Sequence, residues 1–165
     1  MKHKNLMQLL SEGDYNAFVK FTHSSGIYAV SETDEADFYR DAPKDWAMTL
    51  INARMPSFEG EQSLVKFQDS EVVSLANSRW GLYPKTILWA FTDGINDDIE
   101  KIFPLLKDKP ATEVEIAMLK RGDFDLFDKW LEKFGDLEED SERELHESCE
   151  LWAMKNHYID IELSK

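Results

Sequence analysis

The chain has 165 residues, 33 acidic against 19 basic, giving a formal net charge of −14 with 42% hydrophobic residues. That size suits one domain with its own core, and ten Phe, five Tyr and five Trp are too many for a disordered acidic tail. The charge disfavours phosphate backbones and anionic membrane surfaces, so neither direct nucleic-acid binding nor membrane association is expected. The one cysteine, Cys149, excludes an internal disulfide framework and fits a reducing compartment. No apolar run approaches the roughly eighteen residues of a membrane span, and the basic start is broken too soon by Glu12 and Asp14 for a signal peptide. The expectation is a single cytoplasmic domain over 1–165.

In chain order, Leu6, Met7, Leu9 and Leu10 fall at helical spacing, and Gly13 stops that helix. Asp14 caps a second helix that carries Phe18 and Phe21 on one face. "IYAV" at 27–30 is short enough for a strand. "DWAMTLINARM" predicts the first helix of a hairpin, with a turn at "PSFEG" marked by Pro56 and Gly60, and a helix at "EQSLVKFQ". "SEVVSLANSRWG" predicts a short helix from Ser70 to Gly81. "ILWAFTDGINDDIEKIFPLLKD" reads as two helices about Gly94, with Pro104 kinking or ending the second. Ile116, Met118 and Leu119 lead to Gly122, and Asp123 caps a helix bearing Phe127, Trp130, Leu131 and Phe134 up to Gly135. "SERELHESCELWAMKNH" predicts one longer helix with Leu145, Cys149, Trp152 and Ala153 as its apolar seam. The final "YIDIEL" alternates as a strand would, with "IYAV" as its partner.

Two of these segments match. Leu10, Gly13, Asp14, Phe18, Lys20 and Gly26 recur unchanged and in the same register as Leu119, Gly122, Asp123, Phe127, Lys129 and Gly135. Each copy is a helical hairpin with a Gly-Asp turn, and the segment around Gly94 is a weaker third. Such hairpins resemble the ankyrin class of repeats, whose second helix follows a similar glycine turn, although no T-P-L-H signature is present and glycines 13, 94 and 122 do not keep a 33-residue period. The resemblance implies a mostly or entirely α-helical fold of stacked antiparallel hairpins, an irregular α-solenoid or bundle with at most a minimal β element. Structural repeats of this kind present a continuous surface to protein partners.

No residue set names a reaction. Among His3, His23, His146 and His157, only His146 has metal-ligand company, with Cys149 and Glu150 three and four residues on. The H-E-x-x-H pattern is not completed, and a structural zinc site needs four ligands. Glu147 and Glu150 beside Cys149 disfavour a thiolate nucleophile. "DGINDD" has its glycine too early for an EF-hand loop, and no nucleophile-elbow, Walker or dinucleotide-binding glycine pattern is present. No catalytic residue, metal or cofactor is expected.

Two acid-rich tracts remain. Ser31–Asp45 holds six acids and two bases, with Phe38 and Tyr39 interleaved, and reads as a connector. Asp136–Glu150 holds eight acids against Arg143 and reads as a charged helix N-terminus, where acids favour the dipole. Their functional reading is a negative face for a basic protein, with aromatic residues as anchors. The candidate contact residues are Asp34, Glu35, Asp37, Phe38, Tyr39 and Asp41 in the first tract, and Glu138, Glu139, Asp140 and Glu142 in the second.

A motif-free acidic chain of this kind is expected to be a non-enzymatic protein-binding module. In size and acidity it is similar to bacterial immunity proteins, which implies an intracellular inhibitor occluding a basic toxin or nuclease. The alternatives are a helical-repeat adaptor, a DNA mimic with acids spaced along one face, and an enzyme whose active site carries no sequence motif.

Overall fold

A computed structural model describes residues 4–165, so His3 lies outside the described residues. Among these, twelve α-helices and three short 3-10 segments account for all regular structure, and the chain is all-α. The helices are α1 (Leu6–Glu12), α2 (Tyr15–Thr22), α3 (Glu32–Asp41), α4 (Lys44–Ala53), α5 (Phe58–Phe67), α6 (Ser70–Trp80), α7 (Pro84–Thr92), α8 (Asn96–Ile102), α9 (Thr112–Lys120), α10 (Phe124–Phe134), α11 (Glu139–Glu147) and α12 (Trp152–Leu163). Odd-numbered helices begin at Leu6, Glu32, Phe58, Pro84, Thr112 and Glu139. The first four starts are evenly spaced and the last two intervals are slightly wider, a shorter period throughout than the ankyrin repeat.

The Gly-Asp turns form for the reason the sequence suggests. Gly13 and Gly122 sit at φ 68° and 67°, left-handed positions that cost a residue with a Cβ about 1–2 kcal/mol. Asp14 and Asp123 then accept the amides of Ala17 and Leu126 at 3.1 Å, satisfying donors that the first helical turn leaves free. At α1 the capping is reciprocal: Gln8 N–H donates to Asn5 Oδ1, and Asn5 N–H donates to Gln8 Oε1.

Two compact units make up the chain. The first comprises the residues up to 86 together with 96–105, and the second comprises 87–95 and 106–165. In the first, α1, α3 and α5 pack in one layer, α2, α4 and α6 in another, and α8 lies against α5 and α6. Phe18 stacks between Phe38 and Trp46 at centroid distances of 5.3 and 4.7 Å. In the second, α9 packs on α10 and α11, and α11 on α12. Its core holds Trp130 against Phe91 and Phe134.

Several sequence expectations require correction. "IYAV" lies largely within a 3-10 segment, Ser25–Ala29, and "YIDIEL" continues α12. Arg54 Nη1 donates to the Ile27 carbonyl at 2.7 Å, so that backbone needs no partner strand. "DWAMTLINARM" supplies α4, the second helix of a hairpin whose first is α3. The Ser31–Asp41 stretch is therefore a capped helix rather than a connector, with Ser31 Oγ accepting the Asp34 amide. Gly60 lies within α5, not in a turn. A Cβ there would stand 1.9 Å from Glu35 Oε1, so the glycine permits close packing of α3 on α5. Gly94 has no left-handed dihedral; it is buried, and a Cβ would meet the Ala90 carbonyl oxygen at 2.4 Å. Helix α8 ends at Ile102 before a 3-10 turn containing Pro104, as the proline predicts. The C-terminal helix is broken by a 3-10 turn at Cys149–Leu151. That break changes the register, so Leu145, Leu151, Met154 and Tyr158 are buried while Cys149, Trp152 and Ala153 are exposed.

Candidate interaction surface

Three glutamates that the sequence does not distinguish from surface carboxylates are buried. Glu35, Glu61 and Glu115 are each the fourth residue of an odd-numbered helix, and each is at most 1% exposed. Each carboxylate accepts the amide immediately before the next odd-numbered helix. Glu35 Oε1 takes Ser57 N–H at 2.7 Å, Glu61 Oε1 takes Tyr83 N–H at 2.8 Å, and Glu115 Oε1 takes Glu138 N–H at 2.8 Å. The carboxylate therefore clamps one hairpin to the start of the next, satisfying a donor that is free at every helix N-terminus.

The clamps differ in charge balance. Burial pushes the Glu35 carboxyl above the ordinary range, against the Ser57 amide, Arg54 at 3.2 Å and the Ser57 hydroxyl. Burial also raises Glu61, opposed by Thr86 and the Tyr83 amide and reinforced by the Glu35 charge. At Glu115 burial acts in the same direction but is outweighed, and the carboxyl is held low. The Ser141 hydroxyl beside it favours the charged form, and the carboxylate accepts from the Glu138 amide, Lys109 at 3.0 Å and Trp130 Nε1 at 2.8 Å.

The first tract divides between core and surface. Glu35, Phe38 and Tyr39 are 0% exposed, which removes all three from any contact face. Their spacing is the reason: positions four, seven and eight of α3 turn inward together, as helical periodicity requires. Asp34, Asp37 and Asp41 keep access to solvent. Arg40 bridges Asp37 at 3.2 Å and Asp41 at 2.9 Å, and its hydrogen bond holds the Asp41 carboxyl low. Asp37 and Arg40 line a groove of about 510 Å³ between α3 and α5, whose wall also includes Glu59, Lys66 and Phe67.

The second tract is exposed throughout its candidate residues. Glu138, Glu139, Asp140 and Glu142 have side chains 54%, 92%, 68% and 48% exposed. Arg143 faces both Glu139 and Asp140, at 3.6 and 3.1 Å. Glu142 occupies the fourth position of α11, equivalent to the three clamps, and lies 3.7 Å from His146. At the eighth position Tyr39, Val65 and Leu119 are buried in α3, α5 and α9, whereas His146 of α11 is exposed. At the eighth position α11 is thus polar and exposed where α3, α5 and α9 are buried. Trp152, 69% exposed at the start of α12, is an aromatic side chain that the sequence assigns to the core. Its true environment could be read from Leu151, Met154 and Tyr158, which compete for the same seam at i, i+3 and i+7.

Among the described residues, no three His, Cys, Asp or Glu side chains are grouped to hold a metal ion. His157 Nε2 lies 2.7 Å from Asp128 Oδ1, and its ring stacks on Phe124 at 4.6 Å, which places the pair in α12–α10 packing. No helix among the described residues is long and apolar enough to cross a membrane. No protein-family model, curated protein or solved structure matches the chain.

Proposed function

We propose that the chain is a non-enzymatic protein-binding module, in its most concrete form an immunity-type inhibitor that occludes a basic toxin or nuclease. The observation that supports this reading is the exposed face of α11. Glu138, Glu139, Asp140 and Glu142 stand in solvent there, with Arg143 as the one arginine or lysine of the tract. Such a field accelerates the approach of a cationic partner, at a rate that falls with salt. Exposed Trp152 supplies an aromatic of the kind that anchors interfaces once desolvated, the role that buried Phe38 and Tyr39 cannot fill. Inhibition would be steric, the acids covering the partner's cationic substrate groove.

The test is affinity capture from native cell extract at low salt, followed by titration of the captured protein with wild type and with a variant carrying neutral amides at Glu138, Glu139, Asp140 and Glu142. One stoichiometric basic protein, released by salt and bound more weakly by the variant, is the expected result. Equal affinity for both forms would reduce the α11 face to solvated surface. A bait that retains nothing would move the assignment toward an enzyme.

A further inference from the structure

Helix α12 is apolar on two opposite faces. Met154 and Tyr158 are buried on one, where Tyr158 meets Phe127 of α10 at a centroid distance of 5.9 Å. On the other, Trp152, Ile159 and Leu163 are 69%, 37% and 79% exposed, and exposed Asn156 completes the row. Steps of four, three and four residues keep these side chains within about 60° of one another on a helix of 3.6 residues per turn. At 1.5 Å per residue the row is about 16 Å long. A surface helix ordinarily carries one apolar stripe, turned to the core; α12 carries a second, turned to solvent.

The surroundings of this second stripe are acidic. Asp160 and Glu162, both exposed, flank it on opposite sides by helical periodicity. The end of α12 returns to the start of α11, where Lys165 Nζ lies 3.3 Å from Asp136 Oδ1, which brings the Leu163 end of the stripe toward the N-terminal acids of α11. Residues 136–165 hold ten acids against Arg143, Lys155 and Lys165, half of the chain's net charge of −14. Arg143 is already paired with Glu139 and Asp140, and Lys165 with Asp136 and Glu162. Lys155 stands on the Glu162 side, two turns earlier, so acids prevail on both flanks.

We infer that the stripe from Trp152 to Leu163 docks a cationic amphipathic helix of the partner, with apolar side chains on the stripe and Lys or Arg over the flanking acids. The inference rests on the reading of the chain as a binder of basic proteins, and adds the shape of the contact. The four-three-four spacing is that of a coiled-coil seam, whose side chains enter holes on a facing helix. Helix docking uses anchors at this spacing. Charge selects the occupant. A second copy would set one acidic surface against another, and an anionic membrane is repelled in the same way. A Lys- or Arg-rich helix is attracted by both flanks, while its apolar face covers Trp152, Ile159 and Leu163.

Titration calorimetry of the full chain at low salt tests the inference with two synthetic peptides of leucine and lysine, each about 18 residues and so long enough to form a helix. One carries its leucines on a single helical face; the other has the same composition with the leucines spread around the helix. The one-faced peptide is expected to bind about tenfold or more tighter than the other. Ile159→Gln combined with Leu163→Gln is expected to weaken it about tenfold, with an unchanged circular dichroism spectrum because glutamine keeps helix propensity. Trp152→Gln gives an independent reading should the double variant misfold. Equal binding of both peptides, lost only when Glu138, Glu139, Asp140 and Glu142 become amides, would overturn the docked helix and leave the acidic face standing. One-faced binding untouched by the stripe variants would also overturn it, and binding of neither peptide would overturn both readings. A wild-type dimer in sedimentation that Ile159→Gln dissociates would give the stripe to a second copy and overturn the inference.

Discussion

The two units use the same clamp in opposite electrostatic states. In the first, Glu35 and Glu61 accept one backbone amide each at the start of the next odd-numbered helix, and burial wins, raising both carboxyls. In the second, Glu115 makes the equivalent bond but also receives Lys109 and Trp130, and its carboxyl is held low. Burial raises all three carboxyls, and at Glu115 alone its hydrogen bonds and Lys109 together outweigh it. The second unit therefore depends on a charged glutamate, whereas in the first burial works against the charge of Glu35 and Glu61.

Substitutions break this comparison in a definite order. Glu115→Ala leaves the Trp130 indole N–H and the Glu138 amide without their acceptor and Lys109 without its buried partner. It is expected to cost about 3–5 kcal/mol, read from chemical denaturation. Gly60→Ala places a methyl 1.9 Å from Glu35 Oε1, and since that carboxylate is held by Ser57 and Arg54, a loss of about 1–3 kcal/mol follows from overpacking. A melting temperature equal to wild type would mean that α3 and α5 have room to part.

The pH dependence sharpens the comparison. A lowered Glu115 contributes stability that is present above its unfolded value of 4.5 and lost as pH falls through the lower folded value. Raised Glu35 and Glu61 contribute stability that is full below 4.5 and lost as pH rises through their higher folded values. Glu61→Gln, which keeps the shape and removes the charge, is expected to flatten the decline of stability above pH 4.5. Glu115→Gln should flatten the acid limb below it. Denaturation midpoints measured from acid to neutral pH read both, and parallel curves for the two variants would contradict the assignment. The smallest effect is at the turns: Gly13→Ala and Gly122→Ala each force a left-handed residue and should cost about 1–2 kcal/mol, alike in the two units.

What was legible in the sequence was local. The Gly-Asp turns could be read because a left-handed glycine followed by a capping aspartate is a complete device within a few residues, and both copies form. The regular spacing of whole hairpins was not legible, because the clamps share one glutamate per hairpin in a chain where every fifth residue is acidic. Nothing in a single Glu announces that the amide it accepts lies a full hairpin ahead, at Ser57 or Tyr83. The candidate contact residues divided for a related reason. Charge marked the α11 acids correctly as solvent-facing, since eight acids with one arginine cannot be packed. In α3 the same charge concealed a helix whose fourth, seventh and eighth residues are core. The break at Cys149–Leu151 likewise depends on packing of Leu151 and Met154 that periodicity from Leu145 does not reveal.

One repeated carboxylate position thus carries opposite proton affinities in the two units. The most direct measurement of this is an NMR titration following the side-chain carboxyl carbons of Glu35, Glu61 and Glu115. Glu35 and Glu61 are expected to titrate above 4.5 and Glu115 below it. All three titrating together near 4.5, or Glu115 above the other two, would contradict the opposition of the two units.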